Sequence, residues 1–158
     1  MLSYGGDMIS IVDVAALLSA LLLGLSAGLF FAFSVSVMPG LQQVDDTAFV
    51  GAMNAINRAI LNPLFGIVFG GALLVPAVAA VLAFVSGETA RGRVIAASGV
   101  VYLLGVLVVT DAVSVPLNEA LASNADRRAF EPRWVRFNTL RTVSALLAFV
   151  IGLVALVV

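Results

Sequence analysis

Histidine, cysteine and lysine are all absent from this chain of 158 residues. Without cysteine there is no disulfide, no thiol nucleophile and no thiolate-ligated cluster, and the redox compartment cannot be read. Without histidine, imidazole is missing as a metal ligand, a haem ligand and a general base. Charge is scarce as well: 11% of residues are charged, against roughly a quarter in soluble domains. Every basic residue is an arginine, and the net charge is −1, so there is no concentrated basic face for a nucleic acid. Also missing are GxGxxG, a phosphate loop, HExxH, GxSxG and an EF-hand loop, which removes the nucleotide, zinc, serine-hydrolase and calcium signatures. Neither a cofactor nor a metal ion is called for. Any chemistry must use carboxylate, guanidinium, amide or indole groups.

What the chain has in abundance is apolar surface, with 62% hydrophobic residues. One soluble core cannot hide that much, so most of it must face lipid. A crossing helix needs about 20 apolar residues, and four runs qualify, at about 14–37, 63–85, 94–115 and 137–158. The expectation is all-α, a four-transmembrane-helix bundle formed as one integral membrane domain over 1–158. The N-terminus MLSYGGDMISIVD carries two acids and no basic residue, unlike a secretory signal, and the first run reads as a retained membrane helix. Its end is set at Met38-Pro39-Gly40, where proline and glycine stop a helix. Gly24/Gly28 and Gly66/Gly70 form GxxxG steps, which let helices approach closely within or between bundles. Membrane lipid and a second copy of the chain are therefore expected contacts.

Between the first two runs, Phe49, Met53, Ile56 and Ile60 recur at three- and four-residue steps. This is an amphipathic interfacial helix, with Asn54, Asn57, Arg58 and Asn62 on its other face. Asn62 and Pro63 read as N-cap and first residue of the second span. The short polar connection Ser86–Arg93 makes spans two and three antiparallel neighbours. Pro116 ends or kinks the third span. A polar helical connection follows, with a turn at 123–126, and a helix is expected after Pro132, with Trp134, Asn138 and Arg141 on one face.

Alternate connections lie on one side of the membrane, so 38–62 and 116–136 share an end. Asn54, Asn57, Arg58, Asn62, Asp111, Asn118, Glu119, Asn138 and Arg141 are thus expected to converge at one polar mouth, and the opposite end is expected to be plain. The positive-inside rule puts that mouth in the cytoplasm of a bacterial plasma membrane. Asp111 reads in two ways, as a general base with a desolvated carboxylate or as the ion-pair partner of Arg141 or Arg58. Arg141 and Asn138 suit an oxyanion or quinone oxygen, and equally suit tying helix ends together. Trp134 and Tyr102 read as interfacial aromatics. Phe30, Phe31 and Phe33 read as core or lipid contacts, or as the wall of a pocket for a flat ligand.

The segments VPLN (Val115–Asn118), WVRFNTLRT (Trp134–Thr142), MPGLQ at 38–42 and NRAILNPLF at 57–65 together resemble the anthrone-oxygenase-like family of small four-helix membrane proteins. The resemblance implies a four-helix membrane bundle and, for some members, oxidation of polyketide anthrones by O2 without metal or flavin. It places Asn118, Asn138 and Arg141 on recurrent polar positions. The chain departs from the pattern at Thr139, where members often carry histidine, and at Ser114, where they often carry asparagine. The function expected is oxidation of a flat lipophilic phenolic or polyketide molecule with O2, with Asp111, Arg141 and Asn138 as catalytic residues. Asn118, Asn57, Arg58, Asn62 and Trp134 are the expected binding residues. The alternative is a non-enzymatic membrane accessory or interaction protein whose polar cluster is structural.

Overall fold

The computed structural model describes residues 9–124 and 126–158. The N-terminal MLSYGGDM stretch and Ala125 of the expected turn lie outside the described residues. Five helices follow in order: α1 Ile11–Leu41, α2 Asp46–Ala59, α3 Pro63–Val85, α4 Thr89–Asn124 and α5 Arg127–Val154. No strand occurs among the described residues. α1, α3, α4 and α5 are long and apolar enough to cross a membrane, with mean hydropathies of 2.3, 2.5, 2.1 and 1.7 over their most apolar windows. This is the architecture of a multi-pass integral membrane protein.

Each long helix packs on two others, α1 on α3 and α5, and α4 on α3 and α5, so the four close into a ring around one core. Alanine dominates that core at the end where the termini of α1 and α5 meet, with Ala15, Ala16, Ala79, Ala80, Ala83 and Ala155 buried together. Small side chains there let the helices draw close, and the large aliphatic residues point outward instead. Leu21, Leu25, Leu74, Val81 and Leu147 are all more than 45% exposed, as lipid-facing side chains must be.

Local chemistry starts each helix. Ser10 and Asp13 form a capping box on α1. Asn62 accepts from the Phe65 N–H at 3.0 Å with Pro63 as the first helical residue of α3, satisfying a donor that would otherwise be orphaned. Gly87, at φ 83°, makes the tight turn into α4.

The prolines behave differently from expectation. Pro39 does not end its helix, and of the two readings of Pro116 the helix stop is not the one realised; each follows a wider π-helical turn, Phe33–Val37 and Thr110–Ser114. The Met38 N–H reaches back five residues to the Phe33 carbonyl, and the Val115 N–H does the same to Thr110. The widened turn accommodates a ring that has no N–H and crowds the preceding turn. α5 likewise begins at Arg127, ahead of Pro132, which lies inside the helix in its second turn.

The end opposite the mouth is not plain. Arg91 donates to Asp13 at 2.7 Å, to Glu88 at 3.1 Å and to the Ala155 carbonyl at 2.8 Å, which joins α1, α4 and the end of α5. The glycine steps are also re-read. A Cβ on Gly24 would touch Phe149, but one on Gly28, Gly66 or Gly70 would meet nothing within 4 Å. The tightest approach lies at Gly105, where a Cβ would collide with the Ser144 side chain.

Candidate functional site

At the polar end the helices separate, and α2 lies across the gap. Phe49 and Met53 of α2 are fully buried, packed with Met38, Leu117, Leu121, Phe130 and Trp134. Arg127 holds the start of α2 by donating to the Val44 carbonyl at 2.8 Å and to Asp46 at 3.1 Å, with its guanidinium 4.4 Å from the Phe49 ring centre. Beneath α2 is a cavity of about 400 Å³ that draws residues from all five helices. Its walls are mainly apolar, with Phe30, Phe33, Phe65, Phe69 and Trp134 among them. Asn54, Asn57, Arg58, Thr110, Ser114, Asn118, Glu119, Asn138 and Arg141 supply the polar atoms.

Arg141 sits deep in this cavity and is only 6% exposed. It donates through Nη2 to Asn138 Oδ1 at 3.1 Å and through Nη1 to Thr110 Oγ1 at 3.4 Å. Phe30 and Trp134 offer their ring faces, 4.8 Å and 5.5 Å from the guanidinium carbon, and such faces attract a cation. It forms no salt bridge with any described residue, and its Nε is buried without a partner. A guanidinium has five N–H donors, so three remain after the two bonds to protein.

Asn138 is fixed by a closed ring of hydrogen bonds between α1 and α5. The Thr142 hydroxyl donates to the Asn138 carbonyl at 2.8 Å, so Ser34, 3.0 Å away, must donate to Thr142 Oγ1. Ser34 Oγ is then free to accept from Asn138 Nδ2 at 2.9 Å, and the same nitrogen also donates to the Phe30 carbonyl at 3.1 Å. With its nitrogen committed to two acceptors, Asn138 must turn its oxygen toward Arg141. The ring thus sets the direction of the guanidinium.

The remaining expected residues divide. Asn57, Arg58, Asn118 and Trp134 reach the cavity, and Trp134 Nε1 donates to Asn118 Oδ1 at 3.0 Å. Asn62 does not, because it caps α3. Asp111 does not either. It is exposed, lines no part of the cavity and pairs with neither Arg141 nor Arg58. Its neighbour Thr110 points inward, and one residue further along a helix lies roughly a quarter-turn round. Among the described residues Glu119 is the cavity's carboxylate. Trp134 and Tyr102 are buried rather than interfacial. Tyr102 donates to the Phe69 carbonyl at 3.3 Å and accepts from Ser26 at 2.8 Å, which satisfies its hydroxyl inside the bundle. Phe30 and Phe33 line the cavity whereas Phe31 faces out. Among the described residues no three acids stand close enough together to hold a metal ion.

A family model described as anthrone oxygenase matches residues 63–151, more than half of the chain. The chain belongs to the anthrone oxygenase family. The part matched by the anthrone oxygenase model holds α3, α4 and most of α5, and so includes Thr110, Asn118, Glu119, Trp134, Asn138 and Arg141. Phe30, Phe33 and the α2 face of the cavity lie before it. No curated protein and no solved structure matches the chain.

Proposed function

We propose that this protein oxidises a flat, lipophilic phenolic or polyketide substrate with O2 inside the cavity, in a bacterial plasma membrane. The observation that carries the reading is Arg141, a buried cation with spare donors and, among the described residues, no carboxylate partner. A charge in that position is costly unless something neutralises it. An enolate oxygen would do so, and the fork of the guanidinium suits it.

In the proposed reaction a base removes a proton from the ring CH2 that is conjugated with the substrate's carbonyl. Negative charge moves onto the carbonyl oxygen, which Arg141 stabilises at the point where charge develops. The electron-rich enolate gives one electron to O2, and the resulting radical pair joins as a C–O bond. Loss of the second C–H proton with cleavage of the O–O bond leaves a ketone and water. The balance is CH2 plus O2 to C=O plus H2O, with no further oxidant. Glu119 takes the role of base, since it lines the cavity while Asp111 does not. Phe30, Phe33 and Trp134 supply aromatic walls against which a planar molecule stacks.

The test is O2 uptake by the purified protein in nanodiscs with anthrone, corrected for spontaneous oxidation. Arg141→Met is expected to lower the rate at least about 100-fold, the usual loss when an oxyanion donor is removed. Glu119→Gln is expected to cost about as much, and Asp111→Asn to leave the rate unchanged. Uptake no faster than the spontaneous rate sinks the proposal.

A further inference from the structure

The cavity holds a second polar group with no partner. Asn57 lines it from α2, and its amide nitrogen is covered and unbonded among the described residues. Unlike Asn62, it caps no helix. Burying an amide N–H without an acceptor is costly. The group is also well placed rather than loose, because Phe49 and Met53 anchor the helix that carries it. The terminal torsion of an asparagine is broad, so a small rotation turns the N–H onto an atom in the cavity.

We infer that Asn57 donates to a second oxygen of the ligand, so that the cavity prefers planar aromatic molecules with two acceptor oxygens over those with one. The inference rests on the reading of Arg141 as the site of the first oxygen. Asn57 lies outside the 63–151 stretch that matches the family model. As the donor to that second oxygen, Asn57 is a specificity-determining residue on the cavity's α2 wall, separate from the Arg141–Asn138 pair.

Anthrone and anthraquinone share a tricyclic skeleton and differ by one carbonyl oxygen, which makes them the natural probes. Trp134 is the sole tryptophan and forms part of the cavity wall, so quenching of its fluorescence reports binding without turnover. Titrations in nanodiscs under anaerobic conditions are expected to show anthraquinone bound about tenfold more tightly than anthrone, the worth of one good hydrogen bond. Asn57→Leu brings the two affinities to near equality, while Arg141→Met weakens both. Asn57→Ala, measured beside it with the helicity of each variant checked, separates loss of the amide from any effect of the leucine side chain. If both probes bind and their ratio is the same in wild type and both Asn57 variants, the inference is wrong and the Arg141 reading stands. If neither probe quenches Trp134, both fall together.

Discussion

Among the described residues, Arg141 is a cation kept inside a bundle by amide, hydroxyl and aromatic contacts alone. Such a residue either holds the fold together or waits for an anion, and the two roles separate on stability. Replacing buried charged groups by well-packed apolar side chains is often neutral or stabilising, and removing the unpaired Arg141 charge relieves a desolvation cost that outweighs the one hydrogen bond lost at Asn138 Oδ1. Arg141→Met is therefore expected to melt in detergent at or above the wild-type temperature while losing turnover; a clear fall in Tm would identify a structural strut. Asn138→Leu behaves oppositely. It opens the ring through Ser34 and Thr142 and leaves Arg141 Nη2 buried without its acceptor, so both stability, by about 1–3 kcal/mol, and turnover should drop. The Asn138/Arg141 pair was legible in the sequence because polar residues three apart in an apolar helix share a face. Its ring partners were not, since Ser34 lies 104 residues from Asn138. Asp111 was misread because it was placed by its depth in the apolar run, whereas the face of the helix decides what a side chain meets.

Helices made the same lesson local. The Asn62-Pro63 start of α3 was readable because capping needs only three consecutive positions of context. Prolines were not, because whether one stops a helix depends on the turn before it. Pro39 and Pro116 each stand two residues after a π-helical turn. Of the glycines in the two GxxxG steps, Gly24 meets a neighbour within the bundle and Gly28, Gly66 and Gly70 face open space, since a GxxxG spacing marks a small-residue face without showing what packs there. Gly105 carries the close contact, and Gly105→Ala would drive a methyl into Ser144. The expected cost is about 1–3 kcal/mol in thermal or denaturant unfolding, as for other overpacked sites. Gly105→Ala with Ser144→Gly should recover most of it. Gly66→Ala, with open space around it, should match or slightly exceed wild type, since alanine favours a helix over glycine. Equal losses at Gly66 and Gly105 would contradict this packing.

At the scale of the whole molecule the two ends do different work. Arg91 ties α1, α4 and α5 at one end, where buried alanines bring the helices together, and this closure lets them spread at the other. α3 packs chiefly on the Thr89–Tyr102 part of α4, so the cavity is open between the start of α3 and the later turns of α4. Leu61 on one side, and Val115, Glu119 and Ala122 on the other, line the cavity and are exposed. Val115, Glu119 and Ala122 fall at i, i+4 and i+7, one stripe along the rim. A substrate dissolved in the bilayer would meet this side opening without crossing water, and O2 is itself concentrated in lipid. Blocking the rim at Val115, which carries no group used in the proposed reaction, should then act on entry and leave the chemistry intact. Val115→Trp is expected to lower kcat/KM for anthrone about tenfold or more while the rate from substrate already bound, followed in a single turnover, changes little. Arg141→Met gives the reverse, normal entry and a slow chemical step. If Val115→Trp slowed the single turnover as much as it slowed kcat/KM, the rim would belong to the reaction chamber rather than to the way in.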